Sequence, residues 1–234
     1  MTLALLTGVG REGQVGESVA TRLAADGFEL ILVDRTAENV QARAEALKVA
    51  GHVARAYACD LSDPTAVDGL IRQVAAEHGT GLDAVVHMAG GFAATGPVAD
   101  TALLEWERQL TINLRTAFLV ARSAIPLLRV RGGSIVFFSS ESALAGAKLA
   151  RISAYAVAKY AVIALATAIS QEERENRIRA NVLAPAAILT VTNAASMRKG
   201  ARFVERQDVA ATVSYLCSDA SIAVTGQVLR LTPR

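Results

Sequence analysis

Cysteine is scarce in this sequence. Its two cysteines, Cys59 and Cys217, stand far apart and outside any C-x-x-C spacing. They give neither a zinc ribbon nor a disulfide framework, and they suit a reducing compartment. Histidine is as thin: His52, His78 and His87 are scattered, so no metal centre is expected. Charge of one sign is missing too. Lys and Arg number 24 against 22 Asp and Glu, a net charge of +2, and no basic stripe interleaved with aromatics marks a nucleic-acid face. The longest apolar run, YAVIALATAI, is too short to cross a bilayer. MTLALL has no basic region before it and runs straight into glycines, which reads as a first strand and not as a leader. No Pro/Gly/Ser linker or repeat divides the chain. The expectation is a cytoplasmic protein, one domain over residues 1–234, that binds neither nucleic acid nor membrane.

What is present is apolar and alternating. Hydrophobic residues make up 52% of the 234 and charged residues 20%, which excludes disorder and permits a sizeable core. Seven strand-like runs appear: LALL, ELILVD, ARAYAC, LDAVVHMAGG, SIVFFSS, IRANVLAP and QVLRL. Helical patterns lie between them, over 15–26, up to Gly51, after Asp63-Pro64, over 103–130, 153–175 and 207–218. Strands that alternate with helices imply an α/β, doubly wound parallel sheet of the Rossmann type with helices on both faces. Continuous apolar strands fit a sheet covered on both sides. Within the helices over 103–130 and 153–175, the stretches Leu110–Leu128 and Ala154–Ile169 are apolar nearly all round, so these helices are expected to form a subunit interface in a homo-oligomer, dimer or tetramer.

Chemistry is concentrated in a few places. TGVGREGQVG places Gly8, Gly10, Gly13 and Gly16 between a strand and a helix, the context in which a glycine-rich turn cradles a dinucleotide pyrophosphate. A purely structural tight turn is the other reading. Val15, Val19 and Leu23 form one helical stripe, and Gly16, Ala20 and Ala24 form a row of small residues beside it. The helix therefore begins by about Val15, Gly16 packs it, and the pyrophosphate lies over the loop from Gly8 to Val15. Asp34 ends the second strand, where a carboxylate accepts from ribose hydroxyls and repels a 2′-phosphate. Arg35 follows it, and Arg11 lies in the glycine loop. Either arginine is able to pair a phosphate, so NAD is favoured and NADP stays open. Tyr155 and Lys159 in SAYAVAK lie one helical turn apart on one face. An ammonium nearby, with an oxidised nicotinamide, is expected to lower the phenol pKa below its free value of about 10. FFSSES offers Ser140 just upstream, and TINLRT offers Asn113.

Taken in order, these motifs resemble the short-chain dehydrogenase/reductase family over essentially the whole chain. TGVGREGQVG resembles its Thr-Gly-x-x-x-Gly-x-Gly turn with two extra residues. CDLSD resembles the Asp-Leu/Val-x-Asp motif, with Asp60 implied at the adenine amine and Leu61 beside it. HMAGG, with Ala89 and Gly90, resembles Asn-Asn-Ala-Gly. APAAILT resembles Pro-Gly-x-Ile-x-Thr, so Pro185, Ile188 and Thr190 are implied around the carboxamide. The resemblance implies a hydride transfer between a nicotinamide cofactor and a carbonyl or secondary-alcohol substrate. Tyr155 would exchange the proton at the substrate oxygen, and Ser140 would orient that oxygen. Lys159 would bind the nicotinamide ribose, and Asn113 would hold a water of a proton relay.

The sequence departs from the family in several places. His87 and Met88 replace the two asparagines, the first of which ties neighbouring strands, so another group is expected to make that tie. Ala186 replaces a glycine, and the ending RLTPR lacks Asp-Gly-Gly. Ser140 is two residues further from Tyr155 than is common, and Ser142 sits at the commoner spacing; Ser140 is chosen because its strand runs directly into it. The segment 191–204 is a short substrate lid. Its Arg198, Lys199 and Arg202 read as a solvated face or as an attractor of anionic substrates. The alternative function is a dinucleotide-sensing regulatory protein without turnover, but such proteins usually lose the Tyr or the Lys, and both are present.

Overall fold

The computed structural model describes residues 2–79 and 81–234. Seven strands alternate with helices as the patterning implies. They are β1 (Thr2–Thr7), β2 (Phe28–Asp34), β3 (Ala54–Ala58), β4 (Ala84–His87), β5 (Gly133–Phe138), β6 (Ile178–Pro185) and β7 (Val228–Leu231). All pair in parallel in the order β3-β2-β1-β4-β5-β6-β7. The order reverses between β1 and β4. In such a sheet the crevice beyond the carboxyl ends of the strands at that reversal is where a ligand binds.

Helices α1 (Val15–Ala25), α2 (Ala37–Val49) and α8 (Arg206–Cys217) cover one face. Helices α3 (Pro64–His78), α5 (Thr116–Leu128) and α6 (Ser153–Glu172) cover the other. Side chains alternate along each strand, so Leu5, Ile31, Val85 and Phe137 enter the second core while Leu6, Leu32, Val86 and Val136 enter the first. Helix α3 starts as its sequence dictates: Pro64 occupies the first turn and the Asp63 carboxylate accepts from Thr65 N–H. By length and apolarity alone α6 would cross a bilayer; here it packs along β6 and carries Tyr155 and Lys159.

The long helix expected over 103–130 is not regular. Helix α4 (Leu103–Leu110) passes into a π turn at Thr111–Arg115 before α5 begins. Such a bulge shifts the register of the side chains that follow, and it is frequent at functional sites. A short helix α7 (Val191–Ser196) opens the segment 191–204.

Candidate active site

A cleft of about 1150 Å³ opens at the carboxyl ends of β4, β5 and β6, lined among others by Gly90, Ser140, Tyr155, Lys159, Pro185 and Ile188. The sheet positions each of them. Ser140 follows β5, Tyr155 and Lys159 lie on the first turns of α6, and Asn113 lies in the π turn. The Ser139 hydroxyl donates to the Lys159 carbonyl at 2.8 Å and pins the end of β5 to α6.

The two serines have separate tasks. Ser140 Oγ accepts from the Ser142 hydroxyl at 2.9 Å and from the Ser142 N–H at 3.2 Å. Its own proton is left to donate outward, and its hydroxyl stands beside the Tyr155 phenol. The Phe92 ring meets the Tyr155 ring edge to face, centroids 5.1 Å apart. Burial raises the Tyr155 pKa above the ordinary phenol value, and the Ser140 hydroxyl opposes that shift. The lowering expected above belongs to the protein with an oxidised nicotinamide bound; in the free protein burial prevails. The Lys159 ammonium is buried and donates to the Phe138 carbonyl at 2.8 Å, with Nζ 5.9 Å from the Tyr155 ring centroid. Burial brings its own pKa down to about 8.

Asn113 is bonded on both sides of its amide. Its Oδ1 accepts from Gly91 N–H at 3.0 Å, and its Nδ2 donates to the Gly91 carbonyl at 2.9 Å and to the Gln109 carbonyl at 3.1 Å. The side chain is therefore a clamp on the loop after β4. A Cβ on Gly90 would lie 2.6 Å from Asn113 Oδ1 and 3.1 Å from Lys159 Nζ, so only glycine fits there.

His87 makes the strand tie that was expected of another group. Its ring lies 2.8 Å from Thr7 Oγ1 on β1 and 3.3 Å from Thr116 Oγ1 on α5. Burial, helped by the charge of Lys159, takes its pKa down to about 3, so the ring is neutral.

The residues expected around a dinucleotide fall into two groups. Val15 and Gly16 open α1, and a Cβ on Gly16 would lie 2.2 Å from the Val9 carbonyl oxygen, which confirms it as the packing glycine. Gly8, at φ +75, sits against Ala89, whose backbone N a Cβ would approach to 2.4 Å. Asp34 takes Gly10 N–H at 2.8 Å and Thr36 N–H at 3.0 Å. The Glu17 carboxylate takes Gly13 N–H at 2.7 Å and pairs with Arg43 and Arg206. Gly10 and Gly13 therefore shape the loop, and their N–H groups are not turned to a phosphate. The start of α1 is not capped by the Gln14 side chain and offers its first N–H groups to an anion. Arg11 reaches the Thr192 hydroxyl on the lid at 3.4 Å, whereas the charge of Arg35 acts on Asp60, whose carboxylate accepts from Ser62. Leu61 is buried in the core. The Thr190 hydroxyl accepts from Asn193 N–H and caps α7, while Asn193 holds the Ile188 carbonyl at 2.9 Å. A glycine crossing at the sheet reversal, an uncapped helix start and a carboxylate at the end of β2 fit a dinucleotide.

Sequence reasoning missed Phe92, Gln109 and an ion pair at the cleft wall, Arg230 with Glu141 at 3.0 Å. None belongs to a spacing motif. Among the described residues no group of three metal-ligating side chains occurs.

Comparison with known proteins agrees with this geometry. A family model described as Enoyl-(Acyl carrier protein) reductase matches residues 8–231. The chain is 29% identical to a D-threitol dehydrogenase of Mycolicibacterium smegmatis, over 96% of this chain and 88% of that one. It is 30% identical to a trans-4-hydroxycyclohexanecarboxylate dehydrogenase of Sinomonas cyclohexanicum, over 98% and 90%. A Beutenbergia cavernae structure, described as a candidate NAD(P)-dependent gluconate 5-dehydrogenase with NADP bound at low occupancy, superposes with a TM-score of 0.86. Its sequence identity is 28%, over 98% of this chain and 94% of that one.

Proposed function

This chain belongs to the short-chain dehydrogenase/reductase family and is an oxidoreductase of CH–OH and C=O groups that uses NAD(P), and from that premise we propose that it interconverts a small secondary alcohol and its ketone with NAD preferred. The observation that carries the reading is the convergence of Ser140, Tyr155 and Lys159 on one cleft at the sheet reversal.

Each residue is assigned a task by its surroundings. Ser140, whose oxygen already accepts twice, donates its proton to the substrate oxygen and holds it beside Tyr155. Tyr155 gives a proton to that oxygen in reduction and takes it in oxidation. Its raised pKa keeps the free enzyme's phenol protonated, which suits the reductive direction. The cofactor supplies the hydride and, when oxidised, a positive charge. Lys159 is able to bind ribose hydroxyls and to pass a proton, because a pKa of about 8 leaves it close to both protonation states at neutral pH. Asn113 fixes the loop at Gly90 and Gly91 that walls the cleft. Asp34 stands where its carboxylate would accept from the hydroxyls of a ribose diol, which favours NAD over NADP. The substrate class follows the relatives, which act on a polyol and on a hydroxylated ring acid.

Assembly through the long helices is part of the same proposal. Phe118 on α5, Val157 and Tyr160 on α6, and Leu103 and Leu104 on α4 are exposed apolar residues, and α4 packs on α6. A second copy would cover them.

The test is absorbance at 340 nm with NADH and with NADPH against a panel of cyclic ketones, ketoses and keto acids. Turnover of at least one with NADH is expected. Cofactor binding without turnover on any of them would favour a sensor.

A further inference from the structure

We propose that His87 is a positioning residue for the reaction: acting through Thr116, it fixes the π turn that carries Asn113 and so sets the loop at Gly90 and Gly91. The inference rests on the reading of the cleft given above, but part of its test does not.

The hydrogen-bond directions can be derived. The Thr116 hydroxyl donates to the Ile112 carbonyl at 3.0 Å. Its proton is thereby committed, so the contact at 3.3 Å to His87 Nε2 requires the imidazole to donate. A neutral ring with its proton on Nε2 has an acceptor at Nδ1, and the Thr7 hydroxyl donates to it at 2.8 Å. One directed chain runs from β1 through the end of β4 into the helix. Burial of His87, 2% exposed, and its neutral charge fit this tautomer.

The far end of that chain is the π turn. Thr116 N–H bonds the Thr111 carbonyl and not the Ile112 carbonyl, which an α-helix would give it. The Thr116 hydroxyl bonds the Ile112 carbonyl instead, and His87 holds that hydroxyl in its rotamer. Asn113 is the next residue, and it grips both polar backbone groups of Gly91. Gly90 lies so close to Asn113 and Lys159 that a methyl group would collide with both. A shift of the turn therefore moves the cleft wall directly, and misplacement on the order of 1 Å is enough to cost ~100-fold in rate.

The variants are Thr116→Val, Thr116→Ser and His87→Leu. Thr116→Val breaks the chain without touching the sheet, so it serves if His87→Leu fails to fold. Amide exchange is measured by mass spectrometry on the free proteins, with steady-state kinetics and NADH titration alongside. In Thr116→Val, exchange over 110–116 is expected to rise about tenfold while β1 and β4 stay unchanged. Its kcat is expected to fall at least about tenfold with KM and NADH affinity within about twofold, and Thr116→Ser to restore both readouts. Wild-type kcat in Thr116→Val, or faster exchange confined to β1 and β4 in His87→Leu, would overturn the proposal. If the wild type turns over no substrate, the functional reading fails, and the exchange over 110–116 still decides the positioning.

Discussion

The Ser142 hydroxyl donates to the Ser140 oxygen at 2.9 Å, so two serines two residues apart are ordered as supporter and donor. Ser140→Ala is expected to lower kcat/KM by about 100-fold or more, the size seen when one aligned donor to a reacting oxygen is removed. Ser142→Ala loses only the orientation of Ser140 and is expected to cost less than about tenfold. Steady-state kinetics check this, and a larger loss at Ser142 would reverse the assignment.

Lys159 is maintained against its own burial. Its pKa lies near 8 in the folded protein against 10.5 when free, so between those pH values the unfolded chain binds more protons and this group's contribution to stability rises with pH. Below pH 8 the full cost of the buried ammonium is present, on the order of 3 kcal/mol. Lys159→Met is expected to abolish turnover and raise Tm by up to roughly 10 °C below pH 8, less the cost of the Phe138 carbonyl left without its donor. The gain is expected to vanish towards pH 10.5. Thermal unfolding at pH 6.5 and pH 10 tests the sign, and a lower Tm in the variant at pH 6.5 would contradict it.

Asp34 joins cofactor choice to loop geometry, since its carboxylate also holds Gly10 N–H. Asp34→Ala is expected to shift the kcat/KM ratio of NADPH to NADH upward by about 100-fold, with some loss of stability from the freed N–H. A wild type that prefers NADPH would put Arg35 or Arg11 in control.

The glycine turn offers a steric test. A Cβ on Gly16 would meet the Val9 backbone at 2.2 Å, and one on Gly8 the Ala89 backbone at 2.4 Å, whereas Gly69 in α3 has nothing within 4 Å. Gly8→Ala and Gly16→Ala are each expected to destabilise by about 2–3 kcal/mol. Gly69→Ala is expected to stabilise by about 0.5–1 kcal/mol, as in any open helix interior. Denaturant unfolding separates the two classes, and equal effects would mean that the turn tolerates a side chain.

The parallel sheet, its seven strands and the helix placement were legible because periodicity and glycine-proline punctuation are local signals. So were Tyr155 and Lys159, one helical turn apart, and Ser140, into which its strand runs directly. Three features were not. The π turn at Thr111–Arg115 has no local signature, because TINLRT suits a regular helix equally well. The partners of the Gly10 and Gly13 N–H groups, Asp34 and Glu17, are set by tertiary packing and not by the glycine spacing. The raised pKa of Tyr155 in the free protein was not legible because spacing brings Lys159 near the ring but does not show where Nζ points, and it points to Phe138.

The central claim is that Tyr155 moves the proton at the substrate oxygen, and one paired measurement tests it. Turnover and NADH affinity are measured on the same preparations of the wild type and Tyr155→Phe. The account predicts a fall in kcat of about 1000-fold or more with NADH affinity within a few-fold of the wild type. Turnover retained in Tyr155→Phe, or a loss of NADH binding large enough to explain the loss of rate, would contradict it.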